Sequence, residues 1–109
     1  MLRENKSNFD VQNENNIATV FASDYLNKLT GEKIERECKR RLDDGCKTLV
    51  VNFKNTEIVN SIGVSILLGV IDAASNAEAQ VVFSEVNDDT IQLFEVLGLT
   101  RHVKVIDSL

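Results

Sequence analysis

The sequence predicts an α/β fold in which helices cover a mostly parallel sheet. Two kinds of segment, which alternate along the chain, lead to this prediction. The first is a short apolar run, typical of a buried strand, and the second is a segment whose apolar residues recur at helical spacing. The order of elements is β-β-α-β-α-β-α, with an optional last β. Because helices join successive strands, we expect right-handed parallel connections, four to five strands and three to four helices.

The strands are β-prone runs bounded by turn residues. Residues 9–12 and 17–22 flank Glu14-Asn15-Asn16, which predicts a hairpin and therefore a mixed sheet. The later strands are largely apolar, as expected of strands covered on both faces. They are 48–53, 79–84 and, as a short last strand, 103–106.

Helical spacing and end signals mark three segments. The predicted helices are 30–44, 61–75 and 88–97. The first has a narrow apolar stripe formed by Ile34, Cys38 and Leu42. Gly45 follows the first helix and Gly98 follows the third, at positions where glycine commonly ends a helix.

Composition restricts the class of protein. A chain of 109 residues is expected to form one domain, 1–109, and its net charge of −5 argues against binding to nucleic acid or to an anionic membrane. The first eight residues lack the apolar core of a signal peptide. The least polar segment, 58–74, is too short to span a bilayer, which needs about 20 largely apolar residues. Cys38 and Cys46 have no metal-ligand spacing. We expect a cytoplasmic protein without membrane insertion, metal or cofactor.

The most informative motif is Asn60-Ser61-Ile62-Gly63, which follows a buried strand and opens the second helix. Free N–H groups and the positive end of the helix dipole converge at such a position, so a phosphate is readily held there. Phosphorylation of Ser61 would add about −1.5 to −2 charges. Ser61 is therefore a candidate phosphorylation switch. Ser65, one turn on, is interpreted as a structural helix residue, with a second acceptor as the alternative.

The second helix carries more apolar surface than one buried face requires. The residues expected to face the sheet are Val64, Leu67, Leu68 and Ile71. A second apolar stripe lies on the other side and consists of Ile62, Ile66, Gly69 and Ala73. A solvent-facing side is normally polar. Either another helix covers this stripe, or the stripe docks a partner beside Ser61.

Catalytic signatures are weak in this sequence. His102 is the only histidine, and Ser61 does not lie in a Gly-x-Ser-x-Gly elbow, so a serine hydrolase is disfavoured. The strand 48–53 ends in Lys54-Asn55 and lacks the phosphoacceptor aspartate of a receiver domain. Five scattered glycines form no phosphate-binding loop. We therefore expect a protein without enzymatic activity.

The chain resembles the STAS domain family, the fold of bacterial anti-sigma-factor antagonists. The motif at 60–63 is similar to the family's Asp-Ser-Ser-Gly, and an apolar helix follows it as in the family. Residues 93–99, Leu-Phe-Glu-Val-Leu-Gly-Leu, are similar to the family's closing helix and its Gly-Leu exit. Tyr25-Leu26-Asn27 stands where the family often has Leu-Asp before its first helix.

The resemblance implies a non-enzymatic regulator of transcription. Such an antagonist binds an anti-sigma factor that is also a serine kinase. The kinase phosphorylates the serine that matches Ser61 and breaks the complex, and a separate serine phosphatase restores it. Asn60 and Asn27 stand where the family commonly has acids. The loss of these two charges either impairs the positioning of the acceptor hydroxyl or eases the entry of phosphate.

A second interpretation of the resemblance is that the chain is a binding module without a switch. STAS-like domains also serve as scaffold subunits of signalling assemblies and as accessory subunits of lipid-transport machines. In that case Asn60 and Ser61 act mainly as a helix cap, and the apolar stripe is a permanent interface. The oligomeric state, the partner's identity and any ligand stay open at this point.

Overall fold

A parallel four-stranded sheet forms the centre of the molecule. The computed structural model describes residues 16–107. The strand predicted at 9–12 and most of the hairpin turn lie outside the described residues. In chain order the elements are β1 (Ile17–Phe21), β2 (Tyr25–Leu26), α1 (Lys28–Asp43), β3 (Thr48–Asn52), β4 (Ile58–Val59), α2 (Ser61–Asn76), β5 (Gln80–Ser84), α3 (Asp88–Val96), a 3-10 turn (Leu99–Arg101) and β6 (Lys104–Ile106).

The described sheet has the strand order β1-β3-β5-β6, and all three pairings are parallel. Val20 pairs with Val51, and Val51 pairs with Phe83 on the other side. The α/β class and the mostly parallel sheet are confirmed, and residues 16–107 contain three of the three to four predicted helices. The short strands β2 and β4 pair with each other and form a separate parallel ribbon, here called the β2–β4 ribbon.

The predicted boundaries differ from the observed ones at the β2–β4 ribbon and at α1. The sequence predicts neither β2 nor β4, because a two-residue strand is too short to display periodicity. Helix α1 begins at Lys28 rather than Thr30, since Asn27 caps it two residues earlier than expected. It ends at Asp43 rather than Asp44, and Gly45 follows with a φ of 99°.

Three aromatic rings join the sheet to α3. Phe53, Phe83 and Phe94 are fully buried. The ring centroids of Phe53 and Phe83 lie 5.0 Å apart, and those of Phe53 and Phe94 lie 5.6 Å apart, both in edge-to-face arrangements. Edge-to-face pairs stabilise beyond the effect of area burial alone. These contacts hold α3 firmly on the sheet.

The two cysteines are core residues. Cys38 and Cys46 are both free and buried. Burial raises the pKa of the Cys38 thiol to about 12. Because the thiolate is the reactive form of cysteine, Cys38 acts as a small apolar side chain in the core.

The exposed face of α1 is held by ion pairs within the helix. Glu37 accepts a hydrogen bond from Arg41 Nε at 2.8 Å and pairs with Arg40 at 2.5 Å, while Glu35 pairs with Lys39 at 3.5 Å. The hydrogen bond from Arg41 holds the pKa of Glu37 below its usual range. The basic run 39–41 is therefore paired with acids of its own helix and forms a mixed-charge, solvated face.

The face that α2 turns to the core differs from the predicted one. Its buried residues are Gly63, Val64, Leu67, Val70 and Ala74. Leu68 was expected to face the sheet but is 40% exposed, and Ile71 is only half-buried. The reason is that α2 packs against both the sheet and α1, so its buried arc is centred between the two. Periodicity alone does not reveal that second contact.

Candidate functional site

Ser61 is exposed and is the first residue of α2. Asn60 precedes it with an extended backbone and caps the helix, since its side-chain oxygen accepts a hydrogen bond from the Gly63 N–H at 2.8 Å. The other N–H groups of a first turn have no partner within a helix, and the positive end of the dipole lies there. The Ser61 hydroxyl therefore stands where a negative group is favoured.

Asn27 caps α1 in the same way. Its side-chain oxygen accepts from the Thr30 N–H at 3.1 Å, and the Asn27 N–H donates to Thr30 Oγ1 at 3.0 Å. This reciprocal pair is a capping box with threonine in place of the usual glutamate. The Thr30 hydroxyl also donates to the Tyr25 carbonyl oxygen at 2.6 Å, which ties the cap to β2.

The starts of α1 and α2 lie side by side. The Asn60 N–H donates to the Leu26 carbonyl oxygen at 3.0 Å, immediately after β2 and β4 have paired. A Cβ built on Gly63 would lie only 2.6 Å from that same carbonyl oxygen. Glycine at position 63 therefore allows α2 to pack directly on the end of β2, and this packing brings the Asn27 and Asn60 caps together.

Both of these helix starts lack acidic side chains in the first turn. Helix α3 differs, because it begins with Asp88 and Asp89. Carboxylates near a helix start compensate the positive end of its dipole. The first turns of α1 and α2 provide no such compensation. A phosphate on Ser61 would meet no carboxylate from the first turn of its own helix.

Exposed apolar side chains surround the two caps symmetrically. Each capping asparagine has one such residue two positions before it and another two positions after it. They are Tyr25, Leu29, Ile58 and Ile62, exposed by 43, 66, 59 and 48%, and are here called the apolar quartet. Tyr25 and Ile58 are register partners in the β2–β4 ribbon. Exposed apolar residues grouped around one site are typical of a protein-binding surface.

The residues predicted to bind a partner fall into two groups. The structure brings the first group together at the helix starts: Asn27, Asn60, Ser61 and Ile62. The second group is half-buried and consists of Ile66, Gly69 and Ala73. A Cβ on Gly31 of α1 would lie 2.7 Å from Ile66 Cδ1, and one on Gly69 would lie 3.5 Å from the Glu35 carboxylate. Ala73 and Leu42 line the same cleft. These three residues therefore face α1, which agrees with the interpretation that another helix covers this part of the stripe.

Sequence reasoning missed three members of the apolar quartet, Tyr25, Leu29 and Ile58. Each lies in or next to an element too short or too charged to show an apolar pattern. The available signal was positional: apolar residues stand two places before and two places after both Asn27 and Asn60. Only pairing of β2 with β4 makes these positions neighbours.

The described residues carry no constellation for metal chemistry. Among residues 16–107, no three His, Cys, Asp or Glu side chains are grouped so that they would hold a metal ion. In the same part of the chain, no helix has the length and apolar character needed to cross a membrane. The arrangement around Ser61 is that of an exposed hydroxyl within an apolar surface.

A family model matches nearly the whole chain. It is the model of the STAS domain, and the match covers residues 8–109. The chain belongs to the STAS domain family. No curated protein sequence matches this STAS domain significantly.

Several solved structures share the fold of this STAS domain. TM1081, assigned as an anti-sigma factor antagonist of Thermotoga maritima, is 14% identical with a TM-score of 0.77, covering 86% of this chain and 81% of that chain. The anti-sigma factor antagonist SpoIIAA in its unphosphorylated form is 14% identical with a TM-score of 0.69, covering 87% and 83%. SpoIIAA, a Bacillus cell fate determinant, is also known in a phosphorylated form. The STAS domain of a SulP transporter from Vibrio cholerae is 16% identical with a TM-score of 0.71, covering 86% and 75%.

Proposed function

We propose that this STAS domain is an anti-sigma factor antagonist. It is a non-enzymatic, cytoplasmic regulator of transcription that sequesters an anti-sigma factor with serine-kinase activity. That kinase phosphorylates Ser61 and thereby breaks the complex, and a serine phosphatase restores the binding form. The net charge of −5 disfavours binding to the phosphates of nucleic acid and is compatible with a protein partner.

The observation that carries this proposal is the place of Ser61. Ser61 is exposed, begins α2 and immediately precedes Ile62 of the apolar quartet. An apolar surface of this kind binds a partner by excluding water. A phosphate placed within it would have to lose its hydration on binding, which is costly for a charged group. One modification therefore suffices to oppose docking.

The starts of α1 and α2, where no first-turn acid compensates the helix dipole, support the same proposal. They do so because they affect the phosphorylated protein before any partner binds. A phosphate on Ser61 gains a favourable interaction with the helix dipole, and the first turn of α2 adds no acidic repulsion. Phosphorylation is thus tolerated by the fold while it opposes partner binding. Asparagine caps at 27 and 60 retain the helix starts without adding negative charge.

The proposal is tested by mapping phosphates on the protein isolated from its own cells, stressed and unstressed, by mass spectrometry. We expect a phosphate on Ser61 whose occupancy changes with the signal. Ser65 is an internal control, because it is also exposed but lies one turn into α2. A Ser61 that stays unmodified in every condition would contradict the switch.

The docking surface is tested by Ile62→Asp. We expect affinity for the anti-sigma factor to fall about tenfold, because a carboxylate would lie within an apolar contact. The free energy of unfolding is expected to change by no more than about 0.5 kcal/mol, since Ile62 is half exposed. Binding is measured by titration against each purified serine-kinase anti-sigma factor encoded in the same genome.

Val96→Asp provides the matched control for Ile62→Asp. Val96 lies on α3, is 83% exposed and is not part of the apolar quartet. This variant is expected to bind like the wild type. Equal losses in the two variants, or no loss in either, would show that the apolar quartet is not the docking surface.

A second candidate function is a constitutive subunit of a larger signalling or transport assembly. The likeness to the STAS domain of a SulP transporter favours it. A constitutive subunit is expected to co-purify with its partner in fixed proportion whether or not Ser61 carries a phosphate. An antagonist is expected to be recovered with its partner only in the unphosphorylated form.

A further inference from the structure

Thr56 lies in the loop between β3 and β4, and only 4% of its surface is exposed. Its hydroxyl donates to the Ser23 carbonyl oxygen at 2.7 Å, and its N–H donates to the Phe53 carbonyl oxygen at 2.9 Å. Its carbonyl oxygen accepts from Asn87 Nδ2 at 3.1 Å. One buried residue therefore connects the segment after β1, the end of β3 and the start of α3.

The contact with Ser23 closes the base of the β2–β4 ribbon. In the next position along the chain, the Asp24 carbonyl oxygen accepts the N–H groups of Glu57 and Ile58 at 2.8 and 3.2 Å. The ribbon itself pairs over only two residues on each strand. Two short strands alone are marginal in water, so links at their base matter for their position. The Thr56 hydroxyl is one of these links.

Asn87 extends the link to α3. Its side-chain oxygen accepts from the Thr90 N–H at 2.8 Å and caps the helix, while its side-chain N–H donates to Thr56. Helix α3 is in turn anchored on the sheet by Phe94. The ribbon is thus connected through two side chains to an element that packs into the core.

We propose that Thr56 is a positioning residue for partner docking. It holds the β2–β4 ribbon, and with it Tyr25 and Ile58 of the apolar quartet, in the arrangement that receives the anti-sigma factor, and Asn87 couples the ribbon to α3. The identity of the partner rests on the proposed function. The link between Thr56 and the ribbon is a property of this chain alone and is measured without a partner.

Thr56→Val and Thr56→Ser separate the hydroxyl from the shape of the side chain. Valine retains the shape and removes the donor to Ser23, whereas serine retains the donor. In Thr56→Val we expect amide hydrogen exchange of Glu57 and Ile58 to become about tenfold faster relative to the amides of β3. We expect the affinity for the anti-sigma factor to fall as well. Thr56→Ser is expected to restore both quantities, which a role in packing alone would not produce.

Asn87→Asp tests the same link if Thr56→Val does not fold. Aspartate still caps α3, because it accepts from Thr90, but it has no N–H to donate to Thr56. Faster exchange confined to Glu57 and Ile58, with α3 amides still protected, supports the proposal.

Uniformly faster exchange in the ribbon and in β3, or unchanged affinity in a variant whose ribbon exchanges faster, would overturn the positioning role. If the wild-type domain binds none of the anti-sigma factors, the proposed function fails. Ribbon-selective exchange in Thr56→Val would even then support the structural link. The two failures are therefore distinguishable.

Discussion

Ser61→Asp is expected to weaken binding of the anti-sigma factor by about 100-fold, because an unpaired charge at a desolvated contact costs about 2–5 kcal/mol. Ser61 is exposed at the start of α2, next to Ile62 and within the surface that the apolar quartet defines. The aspartate supplies part of the charge of a phosphate at the same position. Isothermal titration of the wild-type and variant domains with the anti-sigma factor measures the difference.

Ser61→Ala is the control for this experiment. It removes the acceptor hydroxyl without adding charge, and Asn60 still caps the helix. We expect its affinity to match that of the wild type within about twofold, because alanine adds neither charge nor bulk to the docking surface. It is also expected to stay bound when the kinase and ATP are present. Equal affinities for the alanine and aspartate variants would rule out an electrostatic switch at Ser61.

Gly63→Ala is expected to lower the free energy of unfolding by about 2 kcal/mol. Helix propensity alone favours alanine by about 1 kcal/mol. The added Cβ, however, would lie 2.6 Å from the Leu26 carbonyl oxygen, and a backbone oxygen held in strand pairing cannot yield as a flexible side chain does. Such overpacking typically costs about 1–3 kcal/mol, and a contact this short with backbone lies at the upper end of that range, so the clash outweighs the propensity by about 2 kcal/mol. Chemical denaturation followed by circular dichroism measures the change.

Gly69→Ala is the matched control in the same helix. A Cβ there would meet only the Glu35 carboxylate at 3.5 Å, an ordinary contact distance. Because propensity then acts without a clash, we expect this variant to be about 0.5–1 kcal/mol more stable than the wild type. If both glycine variants shift stability in the same direction, the close packing of α2 on the end of β2 does not disfavour a side chain at position 63.

The order of the main elements was predictable because their signals are local. Buried strands such as β3 have an apolar centre, here 49–51, and the stripe of Ile34, Cys38 and Leu42 marks one face of α1. Gly98 has a φ of 84° and closes the third helix where the sequence places its end. The start of α2 at Ser61 was likewise readable, since Asn60 is a good capping residue after a strand.

The β2–β4 ribbon and the surface that it carries were not predictable in the same way. Tyr25 and Ile58 are separated by more than thirty positions and meet only through a two-residue strand pairing. Whether the stripe on α2 is free or covered also depends on a distant segment. Gly31 of α1 provides the space into which Ile66 packs. The sequence does not indicate which distant residue packs against a given glycine.

The sequence by itself determined the α/β class, the succession of helices and strands, and the place of Ser61 at a helix start. These features follow from periodicity, capping and propensity, which act between residues close together in the chain. Only the tertiary structure decided which apolar residues surround Ser61, since α1 covers Ile66 and the β2–β4 ribbon exposes Tyr25 and Ile58. The physical reason is that burial depends on contacts between segments distant in sequence, and local patterns do not encode those contacts.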